Sequence, residues 1–241
     1  MPSAVPTILD LGRLPYEAGY DEQIRRVDEV LAARESGSPI PGYLLLVEHD
    51  PIITVSRRAG AEAHLLASPD LLAHEGVRVA QTDRGGDITY HGPGQIVAYP
   101  ILDLTYFGLG LHAYMRLLEE AVIRTCAAFG LACGRDPKAT GVWVDVPEDE
   151  PPRKICAMGV RLRKWVSMHG LALNVATNLD HFGLIVPCGL VGRGVTSLVR
   201  ELGDAAPSFL HVRTKLAAAL NELLSERLAA RGESPASDTA R

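Results

Sequence analysis

Little of this 241-residue chain is aromatic: Phe, Trp and Tyr make up 5% of it. Its core must therefore be built mainly from Leu, Val, Ile and Ala. Cysteine is scarce as well. Cys126, Cys133, Cys156 and Cys188 show no CxxC pair and no Cys/His spacing of a metal site. That excludes a disulfide scaffold and a zinc module, and leaves each thiol as a small core side chain or a nucleophile in a reducing compartment. A basic excess is missing too: 24 Lys and Arg face 29 Asp and Glu, a net charge of −5. A general nucleic-acid binder has the opposite balance. No apolar run approaches the roughly 18–20 residues of a membrane span. The start, MPSAVPTILDLG, has no basic segment leading into an apolar one. These absences predict a cytoplasmic protein with no membrane and no nucleic-acid partner.

What is present is a hydrophobic content of 47%, enough for a sizeable core. A strand is expected at 7–11. Tyr20, Ile24, Val27 and Leu31 recur at helical spacing across 16–34. Strands are expected at 43–48 and 52–56, joined at His49-Asp50-Pro51. SPDLLAHEG has a Ser cap, Pro at the first helical position and a Gly stop, which predicts a short helix. Further strands are expected at 77–82 and 95–102, a helix at 112–129, and strands at 142–146, 154–163 and 165–174. A turn at Arg163-Lys164 joins the last two. A closing helix spans about 207–231, with Phe209, Leu216, Leu220, Leu223 and Leu224 on one face. No repeat and no long interior linker divides the chain. The expected class is α+β (α/β): one domain over residues 1–231 with a mixed sheet and flanking helices, and a polar tail at 232–241 with nothing to bury.

Three stretches carry chemistry. RGGDITYHGPGQ, from Arg84 to Gln95, concentrates glycine, then runs into the apolar IVAYPILDL. A phosphate loop would feed a helix N-terminus instead, and neither GxxxxGK[ST] nor GxGxxG is present. One RGG in an acidic chain is weak support for RNA binding. Two readings remain: a loop whose glycines only permit positive φ, or bare backbone that lets a ligand come close, with Thr89, Tyr90 and His91 as polar groups. In RKICAMGVRLRKWVSMHGLALNV, Lys154 opens a strand after the acidic PEDEPP loop. In IVPCGLVGRGVTSL, Cys188 sits between Pro187 and Gly189 in a loop. By default the lysine is a solvated strand end and the cysteine an inert one.

Together, RGGDITYHGPGQ, KICAMGVRLR…HGLALNV and PCGL resemble the octanoyltransferases of lipoate biosynthesis (lipoate biosynthesis protein B), over about residues 7–215. The RGG-x-x-T-Y-H-x-P-G-Q pattern is a family signature, and Lys154 and Cys188 stand 34 residues apart, the family's spacing. The resemblance implies the fold of biotin and lipoate protein ligases, with no cofactor and no metal. It implies transfer of an octanoyl (or lipoyl) group from octanoyl-acyl carrier protein to a lysine of lipoyl domains. The acceptors would be 2-oxoacid dehydrogenases and the glycine cleavage H protein. Cys188 would carry the acyl thioester and Lys154 would lower its pKa. Arg84, Gly85, Gly86, Asp87, Ile88, Thr89, Tyr90 and His91 would line the substrate site. Ala157, Met158, Gly159, Gly170, Leu171 and Ala172 would complete it. Two departures stand out: the PEDEPP loop is longer than usual, and Cys156 lies two residues past the lysine, a decoy for thiol labelling.

The chemistry agrees with that implication. Donor and acceptor sit on two proteins, and one site serves both in turn if the acyl group rests on the enzyme. A free thiol with pKa ~8.5 is mostly protonated near neutrality; a neighbouring ammonium stabilises the thiolate. The same lysine, once neutral, can accept the proton of the attacking amine. Candidate oxyanion donors are N–H groups of a Gly170-Leu171 turn or of the Cys188-Gly189 loop. Gly85, Gly86 and Gly92 would let an acyl slot pass close to backbone, with His91 and His169 each either an orienting group or a packed core histidine. Arg57, Arg58, Arg161, Arg163, Lys164 and Arg193 are candidates for a face that docks an acidic carrier. Two other functions fit the same fold: an ATP-dependent lipoate or biotin protein ligase, and a non-catalytic binder of acyl carriers or lipoyl domains.

Overall fold

The computed structural model describes residues 5–147, 150–186 and 193–232. Cys188 and the residues from 233 onward therefore lie outside the described residues. The first strand β1 (Thr7–Leu14) leads into helix α1 (Tyr16–Glu35), then β2 (Gly42–His49) and β3 (Ile52–Ser56). After the short α2 (Pro69–His74) come β4 (Arg78–Thr82), β5 (Ile88–His91) and β6 (Gln95–Leu102). Helices α3 (Leu104–Phe107) and α4 (Leu111–Ala127) precede β7 (Cys133–Asp136), β8 (Ala139–Val144), β9 (Arg153–Arg163) and β10 (Val166–Asn174). The chain closes with β11 (Gly194–Val195), α5 (Leu198–Leu202) and α6 (Phe209–Gly232).

Among the described residues the strands form two sheets. The large one has the order β1-β2-β6-β10-β9-β8-β7, with β11 added beside β9; the small one is β4-β3-β5. Both are mixed: β1 runs parallel to β2, and β3 pairs parallel with β4 but antiparallel with β5. The central strands β6 and β10 are buried along their whole length, which is why QIVAYPIL and VSMHGLALN read as continuous rather than alternating strands.

Each face of the large sheet is covered by helices whose sequence demands it. Helix α1 has Val27, Val30 and Leu31 one turn apart, and they pack with Leu45, Val97 and Tyr99. Its outer face is held by Arg26 bridging Glu22 and Glu29, both at 2.8 Å. On the opposite face, Leu118, Ala121 and Val122 of α4 and Leu216, Leu220 and Leu224 of α6 share a core with Ile96, Leu171 and Leu173. Phe209 is only partly buried there. A third core, Ile53, Val55, Ile88, Tyr90 and Phe182 among others, fills the small sheet.

Several local expectations needed correction. The strands at 42–49 and 52–56 do not pair; the two residues between them send the chain from one sheet to the other. Inside the glycine-rich stretch, Ile88–His91 is a strand, because β3 supplies its partners. Strand β7 was not expected: CGRD has no apolar alternation and pairs only through β8. The β9–β10 turn lies at Lys164 and Trp165, with φ of 49° and 67°. Side-chain-bearing residues resist that conformation. It is held by Arg34 Nη2 donating to the Lys164 carbonyl (2.9 Å) and the Leu104 N–H donating to the Trp165 carbonyl (3.0 Å).

Candidate active site

The site forms where two strands part. Strand β8 is in register with β9 only from Arg153 to Cys156. Beyond that point the outer edge of β9 meets the glycine-rich loop: the Gly85 N–H donates to the Val160 carbonyl at 2.9 Å. Approach this close requires glycine, since a Cβ on Gly159 would stand 2.4 Å from the Gly85 carbonyl oxygen. Gly86 sits at φ +98°, a second position where a side chain would be strained.

The fork opens into a cavity of about 400 Å³. Arg84, Gly85, Gly86, Asp87, Ile88, Thr89 and His91 line it from the loop and β5, Lys154, Ala157, Met158 and Gly159 from β9, and Gly170, Leu171 and Ala172 from β10. Tyr90 is the exception. As a strand residue it turns its ring into the third core, where its hydroxyl meets His181 Nδ1 at 2.8 Å and burial raises its pKa to about 12. Gly92 makes room for that hydroxyl, which a Cβ would meet at 1.9 Å, rather than for a ligand. Gly170 and Leu171 lie within β10, opposite Gly159 and Met158, and not in a turn.

Lys154 begins β9 with its ammonium 4.7 Å from the centroid of the Trp143 ring, a ring that Arg193 also approaches, at 5.0 Å. Val195 is in register with Lys154, and the Thr196 N–H donates to the Lys154 carbonyl at 2.9 Å. On the other flank of residues 187–192, the Val186 N–H donates to the His64 carbonyl at 2.8 Å. Asp87, 2% exposed, has a carboxylate oxygen 2.8 Å from His64 Nδ1. Cys156 is fully buried and its thiol pKa is raised by that burial, so it is shielded from labelling reagents.

Sequence reading missed much of the cavity wall. Leu111 and Met115 of α4 and Lys138, Ala139 and Thr140 at the start of β8 contribute to it. So do Tyr16, Val97 and Tyr99; His169, which the sequence left between an orienting group and a packed core histidine, lines it too. His169 has φ +57°, a conformation costing of order 1–3 kcal/mol and characteristic of functional sites. Its N–H donates to Gln23 Oε1 at 2.8 Å, and its Nε2 lies 2.8 Å from Asp83 Oδ1. Burial holds the His169 pKa below the usual imidazole value, against the pull of Asp83. Asp83, which also accepts from Tyr20 and pairs with Arg161, keeps its carboxyl below the usual range despite burial. His91 is forced further, to about 3, by burial and by the neighbouring His49. Tyr99 carried a signal, a polar residue inside the apolar run QIVAYPIL.

Four of the six cations expected to form a docking face are ion-paired within the chain. Arg161 pairs with Asp83, Arg163 with Asp28 at 2.8 Å, Lys164 with Glu35 at 3.5 Å and Arg193 with Asp136 at 2.6 Å. Arg57 and Arg58 are exposed, and Arg58 stands at the cavity. Among the described residues, no cluster of three His, Cys, Asp or Glu side chains is arranged to hold a metal ion. No helix of the described residues is long and apolar enough to cross a membrane.

The family model of the lipoyl protein ligase A/B catalytic domain matches residues 22–221. A protein named octanoyltransferase from Bacteroides thetaiotaomicron is 45% identical, the match covering 91% of this chain and 96% of that one. One of the same name from Bacteroides fragilis is 48% identical over 80% of this chain and 86% of its own. Among solved structures, a putative lipoate protein ligase of T. acidophilum with bound lipoic acid superposes with a TM-score of 0.63 at 21% identity. That match covers 92% of this chain and 86% of the other, and it shows a shared fold. The biotin protein ligase of Aquifex aeolicus in complex with biotin and ATP shares it more distantly, with a TM-score of 0.54 at 13% identity over 91% of this chain and 71% of its own. The chain belongs to the octanoyltransferase family, within the lipoyl protein ligase A/B catalytic domains.

Proposed function

We propose that this octanoyltransferase family member moves an octanoyl group from acyl carrier protein to a lysine of lipoyl domains. The acceptors are those of 2-oxoacid dehydrogenases and the glycine cleavage H protein, and the acyl group rests on Cys188 between the two steps. The observation that carries the reading is the cavity at the β8–β9 fork. Lys154 stands at it, and so do the apolar side chains of Leu111, Met115, Met158 and Leu171. At ~0.8 kcal/mol per buried methylene, six methylenes contribute about 5 kcal/mol, so the acyl chain anchors itself without a polar network.

In the first step the Cys188 thiolate attacks the donor's thioester carbonyl, the C–S bond to the carrier breaks, and the leaving thiolate takes its proton from the Lys154 ammonium, which becomes neutral. In the second the acceptor amine attacks the new thioester. The C–N bond forms, the C–S bond breaks, the amine's proton passes to neutral Lys154, and the thiolate is regenerated. Thioester to amide is downhill, so ATP is not consumed. Support for pairing Lys154 with Cys188 comes from β11: Val195, seven residues beyond the cysteine, is held beside Lys154. The exposed Arg57 and Arg58 suit the approach of an acidic carrier. The protein works in the cytoplasm as one catalytic domain over residues 1–231, with 232–241 outside it, although α6 continues through Gly232.

Intact mass spectrometry after mixing with octanoyl-acyl carrier protein tests this reading. The expected result is a gain of one octanoyl group, mapped to Cys188, without ATP or Mg²⁺, and absent in Cys188→Ser. An octanoyl group on another residue, or an absolute need for ATP, would refute it.

A further inference from the structure

Trp143 is 4% exposed, yet it belongs to none of the three hydrophobic cores of the described residues. Its neighbours on β8, Val142 and Val144, both enter the first core. As the residue between them, Trp143 turns to the opposite face of the sheet. There its ring meets two cations: the Lys154 ammonium 4.7 Å from the ring centroid and the Arg193 guanidinium carbon at 5.0 Å.

The pairing of β8 with β9 brings Lys154 to that ring. Val142 stands opposite Cys156 and Trp143 opposite Lys154, so Ile155 is an extra residue on β9. A regular strand would put Lys154 on the same face as Cys156. With the bulge, Ile155 and Cys156 both enter the first core, each 0% exposed, and Lys154 is re-aimed to the face of Trp143. Gly141 leaves room for the lysine stem: a Cβ there would stand 3.3 Å from Lys154 Cε and 3.5 Å from its Cδ. The ring itself is fixed. Its Nε1–H donates to the Ala139 carbonyl at 3.1 Å, and Arg193, braced by Asp136 at 2.6 Å, lies over it.

The face of an indole attracts an ammonium through its quadrupole and gives a neutral amine only ordinary contact. We propose that Trp143 is a positioning residue of the transfer reaction: its ring holds Lys154 at the cavity and favours the charged form of its amine. This rests on the function proposed above and adds what places the lysine. The charge is needed while Cys188 is a thiolate. It is given up when the carrier's thiolate takes the proton, and regained when the acceptor amine releases its own. The ring is present throughout and exchanges no proton, so it sets the balance between the two forms without competing for the proton. The other charged or titratable groups around the lysine are the Arg193–Asp136 pair, the buried Cys156 thiol, and Arg58, Arg84, Asp87 and Lys138 of the cavity lining.

The test changes the ring's electrons and none of those groups. The chain has two tryptophans, and the other, Trp165, is exposed at the β9–β10 turn. In the full chain carrying Trp165→Phe, Trp143 is replaced by mono-, di- and tetrafluorotryptophan, which keep the shape of the ring and withdraw charge from its face. The titration of Lys154 is followed by NMR at its Cε carbon. Its midpoint should fall stepwise with fluorination, by about 0.5–1 pH unit over the series, and the pH–rate limb for deacylation by the acceptor should move down with it. Trp143→Leu should raise the pH midpoint for alkylation of Cys188, because the ammonium loses its place. Trp143→Phe, which returns a ring face, should recover part of that shift, and thermal melts confirm that both variants fold. A Lys154 midpoint indifferent to fluorine, or Trp143→Leu and Trp143→Phe behaving alike, would overturn the proposal. A midpoint that moves with fluorine in a protein that never loads octanoyl would leave this inference standing and refute the function proposed above.

Discussion

Asn174→Asp changes one atom in the buried amide chain that runs from His91 to Thr196. Asn174 is 3% exposed; it accepts from Gln95 and donates to the Thr196 carbonyl. An ionised carboxyl keeps the first bond and turns the second into two oxygens facing each other. Only the protonated acid can donate to Thr196, so the folded state raises the pKa of the new carboxyl above its unfolded value of ~3.9. Stability is then intact below that value and lost as pH rises toward the folded pKa. Holding the proton costs about 1.36 kcal/mol per pH unit, which is ~1.5 kcal/mol at pH 5 and ~4 kcal/mol at pH 7. For a chain of this length, 1 kcal/mol moves Tm by about 2–4 °C. The variant should melt about 3–6 °C below the parent at pH 5 and about 8–16 °C below it at pH 7. Asn174→Ala loses both bonds at every pH and should show a deficit without that slope. Calorimetry of the three proteins from pH 5 to 7 decides the matter. A parallel offset of the Asn174→Asp curve would show that Asn174 does not donate to Thr196, and the orientation of the Gln95 amide that it fixes would fall with it.

If Lys154 tunes the thiol, Lys154→Met should shift the pH midpoint for alkylation of Cys188 upward and slow its deacylation by the acceptor, while Lys154→Arg restores only the first; unchanged pH–rate profiles would return the lysine to a solvated strand end. Gly159→Val puts a Cβ 2.4 Å from the Gly85 carbonyl and should lower Tm by several degrees and reduce octanoyl loading, whereas normal loading would remove the glycine-rich loop from the site. Asp83→Asn removes a carboxylate whose folded pKa is depressed, so its contribution is present above ~3.9 and fades as pH falls through the folded value. The stability difference between parent and variant should shrink on acidification, and a difference that grows would contradict the pairing of Asp83 with His169 and Arg161.

The sequence by itself determined what local chemistry determines. Apolar spacing located α1 and α6 because a helix must bury one stripe, and uninterrupted apolar runs located β6 and β10. The glycines of RGGDITYHGPGQ announced a close backbone approach, and Gly85 meeting Val160 across the Gly159 position is that approach. What a residue faces is not local. Tyr90 and His91 are neighbours in one motif, yet β3 and β6 send the first ring into a core and the second into the cavity. The parting of β2 and β3 into two sheets depends on partners tens of residues away. Tyr16, His49, Tyr99 and Asp83 belong to four separate elements or loops, and no spacing rule links them. Only the packing of α1 and the glycine-rich segment against β6 and β10 brings them to one wall. There, the exclusion of water holds His91 neutral, with its Nδ1 2.7 Å from Gln95 Oε1.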